Sequence, residues 1–184
     1  MNYLLYFYLA HFLSDYPLQP SALVKFKQKR FLGVFIHSTV HLVMMLIILA
    51  PFLYNPRVLL AIVAIYISHN IIDQTKVSAD KTDPKKARLN YFLDQMAHWS
   101  AILVSVWCAG TLTPHLSGRM LELYSNQTIF LFLLILVLST YFFDVTRYFV
   151  RLKMFKEEFK RDYTAMLINA GIVIVAFGLY WAAY

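Results

Sequence analysis

Ionisable residues inside apolar segments are the first feature of this sequence that could do chemistry. Five of the six histidines in the chain are part of this set, and the sixth is His115. Residues four apart project from the same face of a helix, so both side chains of such a pair can be directed toward one point. Four pairs have this spacing: His11 and Asp15, His37 and His41, His69 and Asp73, and Asp94 and His98.

Imidazole and carboxylate groups are the ligands that proteins use for zinc and for non-haem iron or manganese. We therefore predict that all eight paired residues are candidate metal ligands. Eight donors exceed the four that a tetrahedral ion takes. The surplus favours two ions bridged by a carboxylate, and the alternative is one ion whose histidines are oriented by the remaining carboxylates. The expected metal is a divalent transition ion, zinc first, with iron and manganese as alternatives.

The elements that position these residues are expected to be membrane helices. Of the 184 residues, 60% are hydrophobic and only 15% are charged, whereas soluble domains carry about 25% charged residues. A helix needs roughly 20 mostly apolar residues to cross a bilayer. The predicted fold class is therefore all-α, a polytopic membrane protein with six transmembrane helices. The six segments are approximately 2–19, 31–54, 58–75, 91–113, 127–149 and 163–184.

Positive charge is concentrated in alternate connections between these segments. Of the 17 Lys and Arg residues, all but Arg57 and Arg119 fall in the three connections that would share one side of the membrane, or, for Arg147, in the helix end next to one of them. Since Lys and Arg near helix ends are retained in the cytoplasm, both termini are predicted to be external. This asymmetry accounts for the net charge of +7, so the composition gives no reason to expect a nucleic-acid partner.

All four pairs are predicted to lie at a similar depth. At about 1.5 Å per residue, His37 and His41 lie about 10 and 16 Å beyond the first basic connection. Asp94 and His98 lie about 9 and 15 Å beyond the second one. We therefore expect one site in the cytoplasmic half of the bilayer.

The pairs also form a weak internal repeat. His11 is 30 residues before His41, and His69 is 29 residues before His98, with a basic connection inside each interval. This repeat predicts a four-helix core, residues 1–113, made of two hairpins in the same orientation, 1–54 and 58–113, related by a pseudo-twofold axis. Residues 114–184 would add two further transmembrane helices to the same membrane domain.

Four motifs carry a resemblance to known proteins: His11-Phe-Leu-Ser-Asp15-Tyr-Pro-Leu-Gln19, His37-x3-His41, His69-x3-Asp73-x2-Lys76 and Asp94-Gln95-x2-His98. In these motifs, over about residues 4–105, the sequence resembles a family of small bacterial integral membrane proteins known mainly as a domain of unknown function. This resemblance implies a protein of the bacterial inner membrane and no established activity. More distantly, the pattern is similar to membrane-bound metal-dependent hydrolases, which implies a hydrolase by analogy.

Three functions are compatible with such a site. The favoured one is a metal-dependent hydrolase that acts on a membrane lipid or lipid-linked substrate from the cytoplasmic leaflet. In this hypothesis Asp15 or Asp94 is the general base, and Lys76 and the first basic connection meet the substrate head group. The second function is a di-iron oxidoreductase with the same donors, and the third is a divalent-cation transporter. Transport sites lie near the midplane with polar access from both sides, which a one-sided site does not match. The sequence is also compatible with a homo-oligomer.

Overall fold

The computed structural model describes residues 3–111, 113–151 and 161–183. These residues form helices joined by short connections, and no strand occurs among them, which confirms the predicted all-α class. Two 3₁₀ turns, Ala50–Phe52 and Pro84–Lys86, lie in the connections. The helices are α1 (Leu4–Asp15), α2 (Ser21–Lys29), α3 (Phe31–Ile48), α4 (Pro56–Thr82), α5 (Ala87–Ala109), α6 (Gly118–Ser125), α7 (Gln127–Val137), α8 (Phe143–Arg151) and α9 (Tyr163–Ala183).

Four helical segments in the described part of the chain are long and apolar enough to cross a membrane. They are α3, α4, the continuous run Gln127–Arg151 formed by α7 and α8, and α9. Two of the six predicted spans are not among them. Helix α1 has 12 residues, or about 18 Å, against roughly 30 Å of hydrocarbon, and α5 has 23 residues but a more polar composition. These four segments indicate a membrane protein, and its six-span topology stays a prediction.

Helix boundaries differ from those that hydropathy predicts, because proline and glycine determine several of them. Helix α3 ends at Ile48, ahead of the predicted end at 54, and a 3₁₀ turn containing Pro51 follows. Helix α4 continues to Thr82, beyond the predicted end at 75. It stops before Pro84, since a residue that precedes proline is disfavoured in helical conformation. Gly110, with φ of 71°, follows the end of α5.

The first basic connection, predicted as a polar stretch over residues 25–30, is mostly helical and forms part of α2. This helix packs against α3 at a point where only glycine fits. A Cβ atom added at Gly33 would lie 2.5 Å from the backbone nitrogen of Lys27 and 2.5 Å from the carbonyl carbon of Phe26. Gly33 therefore lets the two backbones approach each other directly.

Helices α1, α3, α4 and α5 form a closed ring, in which α1 and α4 each pack against both α3 and α5. One end of this ring is filled by an apolar core. The core includes Tyr6, Leu49, Phe52, Ile62 and Ile102, all less than 2% exposed. The other end of the ring encloses polar side chains, so burial divides the bundle into an apolar half and a polar half.

The C-terminal helices pack on the outside of this ring. Helix α7 lies against α1, and the π-helical turn Leu138–Phe142 joins it to α8. The carbonyl of Ser139 in this turn accepts a hydrogen bond from Asn169 Nδ2 of α9 at 2.7 Å. Among the described residues of α9, only Met166 is buried, and Leu167 is 73% exposed. The outer face of α9 therefore consists of exposed apolar side chains, as expected for a helix that contacts lipid.

Candidate metal centre

The structure brings all eight candidate ligands into one cluster in the polar half of the ring. Each of α1, α3, α4 and α5 contributes one pair. Seven of the residues are buried, with at most 7% exposure, and the side chain of Asp15 is 10% exposed. Neighbouring imidazole rings have centroids separated by 3.8 Å for His41 and His69 and 4.2 Å for His69 and His98. The spacing of i, i+4 on four facing helices produces this convergence.

One group of donors surrounds Asp15. Its Oδ1 atom accepts hydrogen bonds from Nε2 of His41 at 2.9 Å and from Nε2 of His37 at 3.0 Å. Asp15, His37, His41 and His69 each offer one ligand atom, and these four atoms lie within 4.8 Å of one another. Four donors at this separation match the number of ligands in a tetrahedral transition-metal site.

A second group surrounds Asp73 and shares His69 with the first. Ligand atoms of His69, Asp73 and His98 lie within 4.8 Å of one another. The Nε2 atoms of His69 and His98 are each 3.6 Å from a carboxylate oxygen of Asp73. Here the close partner of Asp73 is the ammonium of Lys27, because Nζ lies 2.9 Å from Oδ2. The carboxylate of the second group therefore already contacts a lysine ammonium, whereas the carboxylate of the first group contacts imidazoles.

Lys27 is a residue of the site that was not predicted from the sequence. It reaches the cluster from α2 and is 8% exposed, whereas Lys25 and Lys29 on the same helix are exposed. Burial lowers the pKa of Lys27, but the carboxylates of Asp73 and Asp15 outweigh this effect, and the pKa is raised above the ordinary value. This direction agrees with the contact of Lys27 Nζ with the Asp73 carboxylate at 2.9 Å.

The cluster is bordered by two carboxamides. With its oxygen turned toward the cluster, Gln19 accepts from Lys27 Nζ at 3.2 Å and from His37 Nε2 at 2.8 Å. Gln95 donates from Nε2 to Asp94 Oδ2 at 3.1 Å and accepts from the Tyr16 hydroxyl at 3.0 Å. Gln19 and Gln95 therefore fix the orientation of neighbouring cluster residues.

Asp94 and Lys76, two of the predicted catalytic residues, have different positions. Asp94 lies inside the cluster, with Oδ1 at 3.4 Å from Nε2 of His98, but it belongs to neither ligand group. Lys76 is one turn beyond Asp73, and its Nζ atom is 4.0 Å from Oδ2 of Asp80. Among the described residues, Lys27 is thus the lysine that contacts the cluster, and a role for Lys76 toward a substrate stays a prediction.

Several buried donors and acceptors in the cluster have no hydrogen-bond partner among the described residues. They are both ring nitrogens of His11 and of His69, Nε2 of His98 and Oδ1 of Asp94. Buried polar groups in folded proteins are nearly always paired, and leaving one unpaired costs about 1–3 kcal/mol. Ligation of a cation by imidazole nitrogens and carboxylate oxygens would compensate this cost. The arrangement can hold a metal ion.

The fold and the site define a class, a helical membrane protein with a buried His/Asp cluster able to bind metal. The chain belongs to the family DUF3307, described as a protein of unknown function, which it matches over residues 3–125. This range includes all eight cluster residues and Lys27, and it ends before α7. No curated protein and no solved structure matches the chain. The expected resemblance to a family of unknown function is therefore confirmed, and the activity has to be argued from the site.

Proposed function

We propose that this protein is an intramembrane metal-dependent hydrolase that cleaves a lipid or lipid-linked substrate from the cytoplasmic leaflet. The observation that carries the proposal is the convergence of five imidazoles and three carboxylates in one buried cluster. Ionisable residues are costly inside membranes and usually mark a functional site. Ring nitrogens without partners on His11 and His69 are the expected condition of residues built to face a cation.

The group formed by Asp15, His37, His41 and His69 supports binding of a divalent transition ion, with zinc as the expected metal. A bound ion of this kind lowers the pKa of a coordinated water from 15.7 to about 7 and polarises a carbonyl or phosphoryl oxygen. The chain itself supplies the ligands and excludes bulk water, since the three histidines are at most 1% exposed.

The geometry favours Asp94 over Asp15 as the general base. Two histidines already donate to Oδ1 of Asp15, which suits a ligand or an orienting carboxylate. Asp94 keeps Oδ1 without a hydrogen-bond partner in the described part of the chain, while Gln95 holds its other oxygen. A positioned carboxylate with one available oxygen can accept a proton from a reacting water.

The distribution of polarity along the ring supports access from one side. The apolar core around Phe52 and Ile62 fills the end of the ring away from the cluster. At the cluster end lies α2, whose Lys25 and Lys29 are exposed and would face anionic head groups. One-sided access suits an enzyme for a lipid or lipid-linked substrate better than a transporter, which needs access from both sides.

Metal content tests the first half of this proposal. We expect detergent-purified wild-type protein to contain stoichiometric zinc by elemental mass spectrometry, and His37→Ala/His41→Ala to lose it. His115→Ala is the matched control, because this exposed histidine lies outside the cluster and its loss should leave the metal content unchanged. Wild-type protein without a stoichiometric transition metal, or a double variant that keeps it, would contradict the proposal.

Turnover tests the second half. The probe is a vesicle of phosphatidylethanolamine and phosphatidylglycerol, with released head groups and fatty acids measured by mass spectrometry. We expect Asp94→Asn to keep the metal and to lose activity by roughly 10²-fold or more, the usual contribution of a general base. Iron as the resident metal, with oxygen consumption and no hydrolytic release, would favour the di-iron oxidoreductase instead.

A further inference from the structure

We propose that Lys27 is the built-in second cation of the cluster, so that the cluster binds one divalent ion and excludes another. This inference rests on the proposed metal-binding function and concerns the number and position of the ions. It replaces the sequence-based preference for two ions with a mononuclear site at Asp15, His37, His41 and His69.

The two ligand groups are adjacent but not equivalent. They share His69, and each contains one aspartate. Oδ1 of Asp15 is contacted by imidazoles, which can rearrange from hydrogen bonding to metal ligation. Oδ2 of Asp73 instead contacts the ammonium of Lys27 at 2.9 Å. A divalent ion bound to Asp73 would lie against this ammonium, and repulsion between the two cations in a buried site opposes its binding.

The charges of the cluster also balance for one ion. Metal ligation requires neutral imidazoles at His37, His41 and His69. With the other two imidazoles neutral as well, the charged groups of the cluster are the carboxylates of Asp15, Asp73 and Asp94 and the ammonium of Lys27. Three negative charges and one positive charge give a net charge of −2, which one divalent ion neutralises. A second divalent ion would leave a net charge of +2 in a buried environment, where uncompensated charge is strongly disfavoured.

The position of Lys27 is built by the fold and is not the result of a flexible side chain that happens to reach inward. The close approach of α2 to α3 at Gly33 fixes the backbone of Lys27 itself. The ammonium has a second acceptor in the oxygen of Gln19, at 3.2 Å. A lysine that merely extended to the membrane surface would keep its charge in water, whereas Lys27 is 8% exposed.

The test is the number of ions per chain in wild-type protein and in Lys27→Met, which keeps the length of the side chain and removes its charge. Each protein is saturated with zinc, freed of excess metal and analysed by elemental mass spectrometry. We expect one ion in wild type and two in Lys27→Met. Lys29→Met is the matched control from the exposed face of α2, and Lys27→Arg retains the charge; both should bind one ion. Two ions in wild type, or one in Lys27→Met, would overturn the inference while leaving metal binding intact.

A second variant tests which ligand group binds the single ion. It keeps the inference testable if Lys27→Met does not fold. Lys27→Met/Asp73→Asn removes the buried ion pair as a unit and leaves the first ligand group complete. We expect this variant to bind one zinc ion, as wild type does. Loss of the ion from a folded, monodisperse double variant would put the ion at Asp73 and overturn the inference. Absence of metal from wild type would contradict the proposed function itself, and the inference with it.

Discussion

Helix α1 packs against α3, and α4 packs against α5. These two helix pairs, the predicted hairpins, contribute similar residues to the cluster but connect their helices differently. In the first hairpin, α1 and α3 are joined through α2, a helix that carries the buried Lys27. In the second, α4 and α5 are joined by the short turn Pro84–Lys86. Lys86 in this turn pairs with Asp83 at 3.5 Å, and their side chains are 65% and 41% exposed. One connection reaches into the site, and the other remains at the surface.

This difference shows that a repeat in sequence does not require equivalent roles for the repeated residues. Asp15 and Asp73 occupy matching positions in the His-x3-Asp motifs. Asp15 faces the imidazoles of His37 and His41, whereas Asp73 holds the ammonium from the other hairpin. The first helices of the hairpins also differ, with 12 residues in α1 and 27 in α4. The connection, more than the motif, determines what each carboxylate does.

The largest effect is expected from breaking the ion pair that distinguishes Asp73 from Asp15. Asp73→Asn leaves the buried ammonium of Lys27 without its counter-ion, and removing one partner of such a pair costs about 3–5 kcal/mol. We expect this loss in the free energy of unfolding, measured in micelles with a chelator so that metal binding does not contribute. Lys27→Met in the same chain should recover most of the loss, because it removes the stranded charge.

Comparison of Asp73→Asn with Lys27→Met/Asp73→Asn tests whether the two residues act as a pair. If Lys27 and Asp73 act as a pair, the two substitutions together destabilise the protein by less than Asp73→Asn alone. Additive effects of the two single substitutions would show that they do not interact in the folded protein, and the contrast between Asp73 and Asp15 would then have no energetic basis.

A smaller effect is expected from separating α2 from α3. The Cβ of Gly33→Ala would lie 2.5 Å from the backbone of Lys27, so α2 has to move and the Lys27 to Asp73 contact lengthens. Overpacking of this kind costs about 1–3 kcal/mol. Gly171→Ala is the control, since a Cβ at Gly171 in α9 meets nothing within 4 Å and replacing a helical glycine by alanine stabilises by about 0.5–1 kcal/mol. Unfolding in micelles measures both variants.

The outcome at Gly33 also tests the reason for the contrast between the hairpins. A Gly33→Ala variant as stable as wild type, with Lys27 still protected from a lysine-modifying reagent, would show that the close backbone approach is unnecessary. Gly33→Ala should lower the free energy of unfolding by less when Lys27→Met is also present, because the displaced helix then no longer carries a cation into the cluster.

Much of the site follows from residue type and spacing alone. The i, i+4 pairs predict which residues share a face, and His11, His41, His69 and His98 meet in the structure because all four helices present such a face to one point. The all-α class follows from the apolar composition in the same direct way. Neither inference needs long-range geometry, since one depends on local spacing and the other on the length and apolar composition of segments.

The role of Lys27 could not be predicted in this way. Lys25, Lys27 and Lys29 lie in one basic segment, and the predicted membrane topology accounts for their charge without a further role. What distinguishes Lys27 is the backbone contact at Gly33, a tertiary feature that hydropathy averages cannot contain. In the inference proposed above, the number of ions depends on the same contact, whereas the sequence-based preference for two ions rests on the number of donors alone.

The smallest effect is expected in the connection of the second hairpin. Lys86→Ala removes an ion pair with Asp83 whose side chains are both largely in solvent, and exposed pairs contribute roughly 0.2–1 kcal/mol. We expect a change in the free energy of unfolding at the low end of this range and no change in metal content. Asp83 stays in place because its carboxylate also accepts from the backbone nitrogen of Lys85 at 3.2 Å. A loss comparable to that of Asp73→Asn would mean that both connections support the cluster, and the asymmetry between the hairpins would lie elsewhere than in Lys27.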